Sequence, residues 1–190
     1  MTDSSTAIDD TAELRTVLAN TDDPAERFDR DDITTERVEL EVDESSFEHL
    51  QSTRGLAIAG VTNDAGDVLL VKHTDPENTH DWVLPHGPVE DGDDWADVAA
   101  DWVDGLTGIS VDIEDIVHVR QNKITHESEN GENRKTTTYH VVFSGRPEGE
   151  TEIRKDVRYD CDDEWVADWH GSIPDSVRDT EGQDIARFLE

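Results

Sequence analysis

Residues 84–109 constrain the chain more than any other stretch. From Trp95 onward the apolar residues fall at Trp95, Val98, Ala99, Trp102, Val103 and Leu106. This is the i, i+3, i+4, i+7 spacing that gathers one helix face at about 100° per residue. Asp93, Asp94, Asp97, Asp101 and Asp104 take the opposite side. The pattern predicts an amphipathic helix with one buried arc and one solvated acidic face. Whatever the rest of the chain does, it must cover that arc.

The segments on either side read as strands. Leu56 to Val61 is a buried strand, Asn63-Asp64-Ala65-Gly66-Asp67 a turn, and Val68 to Val71 the second strand of a hairpin. A polar loop runs from His73 to His80, followed by Trp82-Val83-Leu84-Pro85. Beyond the helix, Val111 to Lys123 is consistent with a strand. A solvated loop from His126 to Asn133 leads to a strong strand over Thr136 to Phe143. At the start, residues 1–7 are expected to be disordered, 9–19 to form a short helix, and 21–35 to be charged and turn-rich. Val38, Leu40 and Val42 then alternate as in a half-exposed strand. Ser45 or Ser46 can cap a helical turn containing Phe47 and Leu50.

Composition bears on solubility and partners. The 16 Lys and Arg against 48 Asp and Glu give a net charge of -32 over 190 residues. Such a charge destabilises a compact state through self-repulsion. In molar salt, where the Debye length is about 3 Å, the repulsion is largely screened. The balance resembles the cytoplasmic proteins of an extreme halophile. It argues against nucleic acid as a partner, since the surface would repel phosphate. Cys161 stands alone, which excludes an intramolecular disulfide or a zinc cluster. There is no apolar run of about 18 residues and no signal-peptide pattern, so the expectation is a cytoplasmic protein with no membrane partner.

The order of elements and the frame of residues 84–109 resemble the Nudix family. Its box reads Gly-x5-Glu-x7-Arg-Glu-aliphatic-x-Glu-Glu-x-Gly-aliphatic. Gly87 is the first glycine and Asp93 stands at the first Glu. Asp101 stands at the Arg, Trp102 at the next Glu, and Gly105 and Leu106 at the paired glutamates. Gly108 and Ile109 close the box. Leu84-Pro85, Glu90, Gly92 and the lead-in Trp82 extend the match. So does the tail, where Asp163 to Trp169 and Ile173-Pro174 resemble a closing strand and the entry to a final helix over Ser176–Leu189, docking through Val177, Ile185, Phe188 and Leu189. The resemblance implies an α/β fold of the Nudix type, an α-β-α sandwich with a mixed sheet over residues 54–190. Residues 1–53 would be an acidic N-terminal extension.

The resemblance also implies hydrolysis of nucleoside diphosphate-linked compounds with Mg²⁺ or Mn²⁺, which neutralises the pyrophosphate and helps activate water. The box glutamates that would hold the ion are missing, since Trp102, Gly105 and Leu106 cannot coordinate it. A relocated metal could use Glu90, Asp93, Asp97 or Asp101, where the spacing of four residues is met by Asp93 with Asp97 and by Asp97 with Asp101. Glu127, Glu129 and Glu132 stand where some Nudix enzymes add a glutamate from outside the box. Trp82 and His86 are candidates to contact a ligand, as an aromatic wall and as a hydrogen-bonding loop residue. Three functions are open to such a chain: a Nudix hydrolase with a rebuilt metal site, a silent Nudix module that binds a nucleotide or metabolite with no metal cofactor, and an interaction protein whose apolar arc meets a partner or its own copy as a homodimer.

Overall fold

The computed structural model describes Pro24 and residues 33–73, 81–128, 132–154, 165–177 and 179–189. Residues 1–7, the helix expected at 9–19, most of the stretch 21–35, Glu129 and Cys161 lie outside the described residues.

A five-stranded mixed sheet forms the centre. Its members are β1 (Thr34–Glu41), β2 (Gly55–Val61), β4 (His86–Val89), β5 (Val111–Glu127) and β6 (Asn133–Pro147), in the spatial order β1-β5-β6-β2-β4. β1 runs parallel to β5 and β2 parallel to β6, whereas β5 with β6 and β2 with β4 are antiparallel. β2 is apolar almost throughout and buried along nearly its whole length. That is the signature of a strand covered on both faces. β1, at the edge, is exposed along most of its length and alternates charge with Val38 and Leu40.

The turn after β2 forms as expected. The Asn63 side-chain oxygen accepts from the N–H groups of Ala65 and Asp67, and Gly66 takes φ 82°. The strand after the turn does not complete a regular hairpin. β3 (Val68–His73) packs against β2 through side chains but is bridged to the end of it only from Thr62 to Val68, and pairs instead with β7 (Trp165–His170) in a separate two-stranded sheet. The reason is that β4 and β6 already occupy both hydrogen-bonding edges of β2.

Helices close the two faces. α1 (Glu44–Gln51) is capped by Asp43, whose carboxylate accepts from the Ser46 N–H at 2.9 Å. The cap therefore lies before Ser45 and Ser46, because an N-cap oxygen must reach forward to free N–H groups. Its Phe47 is buried beneath the Arg134 guanidinium. α2 (Trp95–Thr107) starts on Asp94, which accepts from the N–H groups of Ala96 and Asp97, and ends on Gly108 in the left-handed conformation. α3 (Asp179–Ala186) is shorter than the expected Ser176–Leu189.

Two apolar layers result. Ala57, Ala59 and Val61 point one way and pack with Val141, Phe143, Trp95, Ala99 and Val103 of the α2 side. Ile58 and Val142 point the other way and pack with Leu70, Leu84 and Ile185, with Val177, Phe188 and Leu189 around them. The period-two alternation of β2 thus sends one set of residues to each helix layer. The approach on the α3 side is close, since a methyl group on Gly60 would overlap the Phe188 ring. Among the described residues no helix is long and apolar enough to cross a membrane.

Candidate functional site

The box helix buries Trp95, Ala99, Val103, Gly105 and Leu106, with Val98 and Trp102 half-buried. The predicted arc is therefore turned into the molecule, and Asp97 and Asp101 face solvent. Trp102 lies against the backbone of Gly87 in β4 so closely that a Cβ there would overlap the indole. Gly87 is needed for that approach, and the indole fills the space between helix and strand. Leu106, one helical turn on, is 4% exposed.

This arrangement does not fit the divalent ion that the box implies. A hard cation requires several converging oxygens. The helix positions that would supply them carry an indole, a hydrogen and an isobutyl group, all packed. The other acidic candidates are dispersed. Asp93 accepts from the backbone N–H of Glu90 at 2.9 Å and so tightens the turn before the helix, while Glu90, Asp97 and Asp101 are exposed. Glu127 and Glu132 are exposed near the far end of the β5–β6 hairpin. Among the described residues, no three His, Cys, Asp or Glu side chains come together as a metal site would need.

The opposite face of the sheet carries a cleft of about 240 Å³, lined in part by Leu56, Ile58, Leu84, His86, Arg120 and His140, and walled by Asp184 and Glu181 of α3. Strand register builds its floor. Glu36, Arg120, His140, Leu56 and Pro88 stand side by side across the five strands. Arg120 is 7% exposed. Its Nε donates to Glu36 at 2.8 Å, and its Nη2 reaches both Asp184 oxygens at 3.4 Å. One guanidinium thus links β1, β5 and α3. Arg187 approaches Asp184 at 3.4 Å, and His118 lies 3.7 Å from Glu36.

The charges respond to this packing. The hydrogen bond from Arg120 holds Glu36 below its ordinary carboxylate range. Burial, reinforced by the Arg120 and His86 charges against the pull of Asp184, pushes His140 down to about 4. His118 is also lowered, mainly by burial. The imidazole of His140 is therefore neutral near pH 7 and offers one donor and one acceptor.

Of the two ligand candidates, His86 lines this cleft, with its Nδ1 2.9 Å from the Leu84 carbonyl oxygen. Trp82 does not line it, and instead packs edge-on against His170 of β7, ring centres 4.6 Å apart. Sequence reasoning passed over Glu36, Arg120, His140 and Asp184. A signal was present: Arg120 and His140 keep the inward phase of Ile124 and Val142 on their strands. Polar residues at core-phase positions are the informative exception to burial.

Residues 52–174 match the model of the NUDIX domain. The chain belongs to the NUDIX domain family. Among solved structures, it is similar to a NUDIX hydrolase from Nitrosomonas europaea at 20% identity and a TM-score of 0.40, covering 62% of this chain and 72% of that one. A UDP-X diphosphatase is 13% identical with a TM-score of 0.49, over 76% and 70%. A further NUDIX hydrolase structure from Nitrosomonas europaea is 17% identical with a TM-score of 0.44, over 73% and 70%. A comparison with curated proteins found no match. In this NUDIX chain the box frame is a β4–α2 joint packed by Trp102, and the cleft lined by Arg120 and His140 lies on the other side of the sheet.

Proposed function

We propose that this chain is a NUDIX module that binds a nucleotide-linked small molecule and does not hydrolyse it through the metal chemistry of the box. The family supplies the ligand class. The observation that carries the reading is the Trp102 indole packed on Gly87, with Leu106 buried one turn away, where metal-binding carboxylates would have to stand. Hydrophobic packing and metal ligation are alternatives at the same positions, because a carboxylate placed in that layer without an ion carries a desolvation cost.

The test is a panel of nucleoside diphosphate derivatives offered to the full chain in molar KCl, with and without Mg²⁺ or Mn²⁺. Calorimetry would follow binding, and product release would follow turnover. Saturable binding without metal-dependent turnover is expected. Turnover abolished by Asp93→Asn with Asp97→Asn, but not by a control pair such as Asp22→Asn with Asp23→Asn, would instead establish a hydrolase with a relocated metal site.

A further inference from the structure

We propose that the cleft between the sheet and α3 takes the uncharged heterocyclic head of its ligand, a group of nucleobase chemistry, and turns the phosphates away. The proposal rests on the binding function above and adds which end of the molecule enters, and on which residues.

Size is the first argument. A cleft of about 240 Å³ lies below the roughly 300–1,000 Å³ of sites that enclose a drug-sized ligand. It has room for a head group and not for a whole nucleoside diphosphate derivative.

Chemistry is the second. Leu56, Ile58 and Leu84 give the cleft apolar lining suited to the faces of a flat ring. His140, Arg120 and Asp184 give it hydrogen-bonding groups suited to a ring's edge. The His140 imidazole makes no hydrogen bond among the described residues, although it is half-buried in the cleft wall. The guanidinium of Arg120 commits Nε to Glu36 and Nη2 weakly to Asp184, and Nη1 has no hydrogen bond among the described residues. A neighbouring donor and acceptor therefore await a partner of complementary pattern. A ring edge that displaces water from these groups would have to supply the complementary acceptor and donor.

Charge is the third. The cations near the cleft, Arg120 and Arg187, are set against Glu36, Asp184 and Glu181. The balance is negative within a chain that is itself strongly acidic. A phosphate accepting from Arg120 would bring its charge beside the Asp184 and Glu36 carboxylates that already hold the guanidinium, and would be repelled by both. A neutral ring edge meets no such opposition, and it can accept from Arg120 without breaking either ion pair.

The experiment uses the full chain in molar KCl and two kinds of probe, the four common nucleosides and inorganic pyrophosphate. At least one nucleoside is expected to bind saturably and to resist displacement by pyrophosphate. His140→Leu should weaken that nucleoside about tenfold, in line with the loss of one or two hydrogen bonds, and His140→Gln should restore part of the affinity. Displacement by pyrophosphate would overturn the placement, as would unchanged affinity in a folded His140→Leu variant. The competition on the unaltered chain decides the matter even if a variant does not fold. Binding of diphosphate derivatives without binding of any nucleoside would sink this inference and leave the binding function standing, while no binding of either would remove both.

Discussion

Trp102 and Gly87 meet where the box helix packs on β4. Glycine at position 87 is compatible with the family frame, yet here its lack of a side chain makes room for an indole. Gly87→Ala should destabilise the chain by about 1–3 kcal/mol, the usual cost of overpacking. Combining it with Trp102→Ala should give a smaller loss than the two single effects added, since the clash disappears with the indole. Denaturant titrations of the four species would measure that coupling, and strict additivity would mean that the two residues do not meet. His140 makes a second residue-scale prediction. Its folded value is about 4, below the ordinary histidine value near 6.5. Between these values the unfolded chain takes up a proton that folded His140 refuses, so its contribution to stability declines as pH falls from about 6.5 towards 4. Arg120 and His86 oppose the charged ring, and Asp184 favours it. The His140→Leu variant should therefore lose less thermal stability between pH 7 and pH 4.5 than the parent chain. Equal losses would contradict the burial of a neutral imidazole.

Among the elements, α2 and β1 carry the sharpest consequences. Restoring two acidic box positions with Trp102→Glu and Leu106→Glu should not create a hydrolase. Gly105 would still lack a carboxylate, Asp101 would still stand in place of Arg, and the new groups would replace the indole packed on Gly87 and the buried Leu106 side chain. The expected result is a loss of stability of several kcal/mol, on the order seen for unpaired buried charges, and no Mg²⁺-dependent product. A stable and active double variant would show that the helix borders an open catalytic cleft. β1 precedes residue 54 in sequence but pairs with β5 through eight successive positions and supplies Glu36 to Arg120. Phe47 of α1, also before residue 54, is 2% exposed. Truncation to residue 33 should preserve a cooperative thermal transition in high salt. Truncation to residue 54 should lower its midpoint or cause association, because it strips the hydrogen-bonding edge of β5 and leaves Arg120 short of one carboxylate. Identical midpoints for the two truncations would show that β1 and α1 add nothing to the body.

Over the whole molecule, charge decides the conditions in which these elements hold together. The excess of acidic residues is distributed over exposed positions such as Asp97, Asp101 and the polar side of β1. Raising KCl from about 0.1 M, where the Debye length is about 10 Å, to about 1 M, where it is about 3 Å, should raise the thermal midpoint progressively. A midpoint that is flat or falling over that range would refute self-repulsion as a main limit on stability.

Much of the architecture could be read from local pattern. The strands at Leu56, Val68, Val111, Thr136 and Trp165 and the helix from Trp95 follow from apolar period, and their order, with the box frame, points to the family. These features are local, because each is set by which side chains recur at the spacing of one element. Sequence alone also determined that Trp102, Gly105 and Leu106 cannot ligate a metal, since that follows from their chemistry. The separation of β3 from β2 was not legible. It depends on β4 and β6 claiming both edges of β2, and such competition exists only once the strands are assembled. The cleft was hidden for the same reason. Glu36, Arg120, His140 and Asp184 are far apart along the chain, and only register across β1, β5 and β6 and the docking of α3 place them together. Tertiary structure alone decided that Trp102 would rest on Gly87 and that the cleft's polar groups would lie on the other face, because both results require distant segments to come within contact distance.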